Sequence, residues 1–219
     1  MPPIAIIGKK VGMTRIFESD GTVHAVTVLE VGPCKVLAVK TEAGKDGYSA
    51  LQLGFEPVKE KALNKPQLGY FKKLGVSPYR YVREVRVDTA VAAEHEAGSD
   101  ITVELFAPGE FVDATSNSKG RGFTGVMKRH HFHGSKEWGH GTHEYFRHGG
   151  SIGQASYPAR VKKGMKMPGH HGNTKFTIQN LRIVDRVPAQ NLLLVRGGIP
   201  GPNGGLVMLR KAVKVYGQG

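Results

Sequence analysis

The 219-residue chain has a single cysteine, Cys34, so it can form neither an intrachain disulfide nor a cysteine-based zinc site. No apolar run approaches the roughly 20 residues that span a bilayer. The opening MPPIAIIGKKVGMT has only a short apolar patch and no small-residue cleavage pattern, so no secretory signal is expected. A basic amphipathic helix, the usual device for acidic membrane surfaces, is also missing. Acidic residues are scarce, 18 against 31 Lys and Arg, which leaves a formal net charge of +13 and a pI near 9.9. Such an excess points to a polyanionic partner, above all nucleic acid, because each phosphate neutralised releases counterions.

The charge is not spread evenly. Residues 115–176 hold 11 of the 31 Lys/Arg and only two acids, Glu137 and Glu144, for a net of +9, whereas the other 157 residues together carry +4. The same window has eight of the ten histidines and 12 of the 30 glycines, but only three Leu, Ile or Val residues: Val126, Ile152 and Val161. So little apolar surface cannot offset the entropy of ordering the backbone, so the segment needs something else to fold against.

The flanks read differently. Thr22–Val31 and Lys35–Lys40 show partly alternating, β-branched strand patterns. Asp100–Phe106 and Glu110–Ala114 read as two strands of a hairpin turning at Ala-Pro-Gly. Further strands are expected at Lys175–Val184, Asn191–Gly197 and Gly204–Val215, with the turn-rich GGIPGPNGG between the last two. One or two short helices are expected between Asn64 and Ala97, around PQLGYFKKLGV, and no internal repeat is visible. Short strands with Gly/Pro turns predict a mainly β fold: an antiparallel barrel or sandwich body with short helices and a long irregular basic insertion. The expected organisation is a body of residues 1–118 and 173–219, with its helical segment around 64–97, and an arm of residues 119–172. A connection this long inside one domain is usually functional or ordered by a partner.

Three chemistries compete for the histidine-rich run from His130 to Gln154. A zinc site needs three or four ligands and a supporting carboxylate. Only two acids occur in the window and neither completes an HExxH frame, so no metal and no cofactor is expected. GRGFTG (Gly120–Gly125) fits a dinucleotide fingerprint in letters alone, without a βαβ context. GKKVGMT (Gly8–Thr14) has Met where a phosphate loop needs Lys. Both are read as turns, or as glycines that let backbone approach a polyanion. Ser135 and Ser151 have histidines nearby but no acid placed to orient a base, so no enzyme and no small-molecule substrate is expected.

Nucleic-acid binding remains. Lys119, Arg121, Lys128, Arg129 and Lys136 lie on one limb of the insertion, and Arg147, Arg160, Lys162, Lys163 and Lys166 on the other. Phe132, Trp138, Tyr145 and Phe146 are interleaved with them, as where bases stack on rings. His131, His140, His148 and His170 add flat rings and phosphate donors. An irregular basic arm suits the pockets of folded RNA better than the major groove of DNA, which usually receives a helix. A metal-dependent enzyme using the histidines and a free-standing nucleic-acid chaperone or DNA-binding protein are the two competing readings.

Several motifs, in order, resemble one family. IIGKKVGMTRIF (Ile6–Phe17), DATSNSKGRGFTGVMKRHHF (Asp113–Phe132), GGSIGQ (Gly149–Gln154), ARVKKGMKMPGHHG (Ala159–Gly172), TIQNLRIV (Thr177–Val184) and NLLLVRGGIPGPNGG (Asn191–Gly205) are similar to stretches of the bacterial-type large-subunit ribosomal protein three, or universal "L-three", family. The resemblance covers nearly the whole chain. It implies an elongation-factor-like β-barrel on the outside of the large subunit and an extension that threads into 23S-type RNA. It also implies a role in early subunit assembly, with neighbouring large-subunit proteins as further partners and a place in the cytoplasm, though a processed organellar chain would read alike. By the same resemblance the stretch from His140 to Gln154, including Ser151, is the tip approaching the peptidyl-transferase centre. Gln154 matches a glutamine that a methyltransferase modifies in some relatives. Two positions depart from the family pattern: Gly149 stands where proline is common, and Ala159 where glycine is usual.

Overall fold

The computed structural model describes residues 4–18, 20–135, 141–142 and 144–214. The chain divides into two compact units, Met1–Asn117 with Lys175–Gly219, and Ser118–Thr174.

In the first unit, six strands close into an antiparallel barrel: β1 (Ala5–Phe17), β12 (Leu206–Lys211), β7 (Phe111–Asn117), β10 (Lys175–Val187), β11 (Leu192–Arg196) and β2 (Val23–Val31), which returns to β1. Alternation builds the interior, since Val112 and Ala114 of β7, Leu193 and Val195 of β11, and Val207 and Leu209 of β12 are all fully buried. A second sheet runs β5 (Tyr79–Arg86), β4 (Ala50–Pro57), β3 (Cys34–Lys40), β6 (Asp100–Ile101). Two short helices of this unit, α1 (Lys65–Leu74) and α2 (Thr89–Ala93), flank β5. Ile6, Ile7 and Leu29 of the barrel and Leu51, Leu53 and Val85 of the second sheet belong to one hydrophobic cluster. In β1, Ala5–Gly8 are buried in succession because both faces of the strand are covered, which hides the alternation that marks a strand in sequence. The fold class is therefore the expected one, mainly β and antiparallel, with short helices. Three more short elements lie in the insertion: α3 (Val126–His130), β8 (Gly122–Thr124) and β9 (Gly169–His171).

Two expectations fail for physical reasons. Asp100–Phe106 and Glu110–Ala114 are not a hairpin. Only Asp100–Ile101 is extended, paired with β3, and Val103–Leu105 forms a single 3-10 turn. Val103 and Phe106 drop into the core from that turn, so their apolar spacing is a three-residue period rather than alternation. β7 pairs instead with β12 and β10. GKKVGMT is not a turn either, because it lies wholly within β1. A Cβ on Gly8 would sit 2.6 Å from the Glu30 carbonyl oxygen, so the glycine serves the close approach of β2. Strands β4 and β5 were not foreseen. β4 is central and buried almost throughout, and β5 is a charge-rich edge.

Three polar groups lock the barrel. Lys10 is buried and donates from Nζ to the Ile199 carbonyl at 2.8 Å, while its own carbonyl accepts the Gly204 N–H at 2.7 Å. Together they tie the GGIPGPNGG turn to β1. Asp113, 1% exposed, accepts the Asn180 backbone N–H at 3.1 Å and lies 3.3 Å from the Arg210 guanidinium. Asn180 has φ +56° at the β10 register shift between Ile178 and Leu181, so the carboxylate holds the bulge. Asp113→Ala removes the carboxylate and leaves the Asn180 N–H and the Arg210 guanidinium without it. It is expected to lower unfolding free energy by about 2 kcal/mol, measured by urea denaturation. Burial pushes the Cys34 thiol up to about 12, and its Sγ donates to the Ile7 carbonyl at 3.3 Å. The native chain should therefore resist iodoacetamide at pH 8 and react on unfolding, read by mass spectrometry.

Candidate nucleic-acid interface

The insertion leaves and rejoins the barrel at paired residues, Asn117 opposite Lys175 on β7 and β10. Within Ser118–Thr174, β8 and β9 form a two-stranded ribbon with Gly122 opposite His171, Phe123 opposite His170 and Thr124 opposite Gly169. Just beyond it, a Cβ on Gly172, at φ +76°, would lie 2.2 Å from the Lys119 carbonyl oxygen, so only glycine lets the two limbs meet there. Helix α3 follows β8 and ends on His131 in the left-handed conformation, φ +61°. Arg129 donates from Nη1 to the Met167 carbonyl at 2.8 Å, and His130 Nε2 is 3.1 Å from the same oxygen. These bonds clasp the outgoing limb to the returning one. Farther along, Ser135 N–H donates to the Phe146 carbonyl at 3.2 Å. A cleft of about 490 Å³ there is lined by Met127, His133, Glu144, Phe146, Arg147 and His148, with Ser135.

Packing in this unit is minimal. Among its described residues only Thr124 and Val126 are buried. Lys119, Arg121, Lys128, Arg147, Arg160, Lys162, Lys163 and Lys166 are exposed, as are His131, His148, Ser151, Gln154 and His170, while Arg129 is half-buried. Lys136, Trp138 and His140 lie outside the described residues. No cation of this unit pairs with a carboxylate among the described residues, whereas Lys9, Lys35, Lys40, Arg80, Arg210 and Lys211 of the first unit all do. No group of three His, Cys, Asp or Glu side chains that could hold a metal occurs among the described residues.

Two rings escaped the sequence reading. Phe123 is 79% exposed on the ribbon and Tyr157 is 85% exposed. Neither lies among the cations and rings of the His130–Phe146 run, and the signal that marks them is exposure, which a sequence does not display. The two departures from the family pattern also acquire a local meaning. A Cβ at Gly149 would lie 3.1 Å from the Phe132 ring, so the glycine makes room for that ring. Ala159 sits at φ +56°, a conformation natural to glycine and strained for alanine.

The first unit is thus a closed β body, and the insertion is a unit whose described cations are mostly exposed over almost no interior, the make-up of a polyanion-binding protein. The family model described as Ribosomal protein L3 matches residues 84–190. The chain is 50% identical to the large ribosomal subunit protein uL3 of Brachyspira hyodysenteriae over 211 residues, covering 96% of this chain and 95% of the relative. It is 49% identical to that of Brachyspira pilosicoli, over 96% and 94%, and 48% identical to that of Acidothermus cellulolyticus, over 95% and 92%. The chain belongs to the uL3 family of large ribosomal subunit proteins, structural and non-enzymatic components of the ribosome.

Gly172→Ala is expected to unpair β8 from β9, seen as lost hydrogen-exchange protection at Phe123 and His170. Ala159→Gly is expected to be stabilising by about 1 kcal/mol, measured by urea denaturation of the full chain.

Proposed function

We propose that residues 119–172 bind large-subunit ribosomal RNA, with the body of residues 1–118 and 173–219 as their mount. The observation that carries this reading is the set of exposed cations that have no carboxylate partner among the described residues, in a unit whose described residues include only two buried ones. Such a unit gains its missing stabilisation from phosphates and stacked bases. Lys119, Arg121, Lys128 and Lys136 would meet phosphates along one limb, and Arg147, Arg160, Lys162, Lys163 and Lys166 along the other. Arg129, held at Met167, would also shape the limb it sits on. His131, Trp138, His140, His148 and His170 would stack on bases or donate to phosphates, with Phe123 and Tyr157 added by their exposure.

The finer placement follows the family resemblance. The stretch from His140 to Gln154, with Ser151, would be the tip approaching the peptidyl-transferase centre, where it shapes RNA while the RNA performs the chemistry. Gln154 is exposed and sits in a Gly-flanked stretch, which suits access by a glutamine methyltransferase. Early assembly of the subunit, contact with neighbouring ribosomal proteins and residence in the cytoplasm belong to the same reading.

Limited proteolysis of the full chain, alone and with deproteinised large-subunit RNA, tests it. Rapid cuts between Lys119 and Lys166 in the free chain, protected by the RNA and exposed again at high salt, are expected. An arm that resists cleavage alone, or gains no protection from the RNA, would overturn the reading.

A further inference from the structure

The first unit has a basic surface of its own. Residues 59–86 carry eight Lys/Arg against two acids, Glu60 and Glu84, a net of +6. All 157 residues outside the 115–176 window sum to only +4, so this one segment accounts for the whole excess of the body and the remainder is slightly acidic. Lys59, Lys61, Lys65, Lys72 and Lys73 are all exposed. None of the five has a carboxylate partner among the described residues, whereas Lys9, Lys35, Lys40, Arg80, Arg210 and Lys211 of the same unit do. At about 100° per residue, Lys65, Lys72 and Lys73 fall within roughly a third of the circumference of α1, away from the buried Phe71.

A second observation on the same face is independent of charge. Gly69 lies mid-helix on the arc that Lys65, Lys72 and Lys73 share. A helix-interior glycine costs about 1 kcal/mol relative to alanine and is usually retained where something packs close. A Cβ at Gly69, however, would meet no atom within 4 Å. The described residues give no packing reason for a glycine there, whereas a backbone-close partner would.

Beside this face lies a cleft of about 490 Å³ between α1 and strands β4 and β5, lined by Gln52, Gln67, Tyr70, Tyr79, Arg80 and Arg83 among others. Tyr79 lies against Gly54, where a Cβ would be 2.9 Å from its ring, so this side chain is held flat on β4. The Gln52 Oε1 accepts the Tyr70 hydroxyl, and the Gln67 Oε1 accepts the Asn64 N–H at 3.3 Å in the cap of α1. Both carboxamide NH₂ groups thus remain without an acceptor among the described residues. Rings, a guanidinium and carboxamide donors at the edge of a row of lysines are the components that grip single-stranded RNA.

We infer that the α1–β5 face is a second RNA surface, separate from the arm, which follows phosphates along Lys65, Lys72 and Lys73 past Gly69 and takes one unpaired base in the Tyr70–Tyr79 cleft. The inference rests on the RNA reading of the preceding section and adds a site to it. The lysines neutralise phosphates, the bare backbone at Gly69 permits the approach, and the cleft limits the site to RNA with a splayed base.

Hydroxyl-radical footprinting of deproteinised large-subunit RNA with the full-length chain separates the two surfaces. The wild type should protect two sets of nucleotides. Gly69→Gln should raise or preserve the melting temperature, because glutamine favours helix, yet remove one set. Lys72→Gln with Lys73→Gln should remove the same set and weaken binding at 0.15 M salt about tenfold, with a salt slope shallower by about two. Tyr70→Leu should weaken binding about tenfold without changing that slope. Lys162→Gln with Lys163→Gln and Lys166→Gln should remove only the other set. If Gly69→Gln and the lysine pair leave both sets intact, the face is solvated or serves a protein, and this inference falls while the arm reading stands. If the wild type protects nothing, both fall.

Discussion

Pairing of β7 with β10 is the constraint on which everything else rests. The ladder closes the barrel, and the register that sets Asn117 opposite Lys175 also fixes both ends of the 57-residue insertion. Closing a loop of that length costs entropy only logarithmically in its size, so a well-buried sheet can carry it. The insertion does not have to fold in order to be held. That frees its composition from the demand for a core, and glycines, cations and rings fill the positions that apolar residues would otherwise occupy.

The two units balance charge in different ways. In the barrel unit, cations of β1, β3 and β12 meet carboxylates across strands, and Asp113 serves both Arg210 and the bulge at Asn180. In the insertion the limbs are joined by neutral main-chain acceptors instead, most clearly where Arg129 and His130 share the Met167 carbonyl. A guanidinium bonded to a carbonyl keeps its full charge, so the clasp orders the limbs without diminishing their attraction for a polyanion. Glycine at 172 has the same logic in steric form, since it brings two basic limbs together where any side chain would separate them.

Much of the fold was legible from local pattern. β2, β3, β10, β11, β12 and α1 announce themselves by alternation, β-branching or capping, because each has one face in the core and one in solvent. β1 and β4 did not, because strands covered on both faces lose the alternation that identifies them. Asp100–Phe106 misled for the opposite reason, its three-residue period imitating a short strand. For the interface, the concentration of cations in 115–176 was plain, while Phe123 and Tyr157 passed unnoticed because nothing local distinguishes an exposed ring from a buried one. The basic segment 59–86 was diluted by the acidic remainder of the body whenever charge was summed over the whole flank.

Sequence alone determined that the chain is a β body bearing a basic, coreless insertion, since charge and apolar content are additive properties that need no coordinates. It also carried the family, through ordered motifs along nearly its full length. Only the tertiary structure decided which strands close the ring, that Gly8 and Gly172 answer to facing carbonyls, and that Ala159 occupies a glycine conformation. Those are relations between residues distant in the chain, or between a residue and its own backbone angle. Neither distance nor angle is written in the order of the letters.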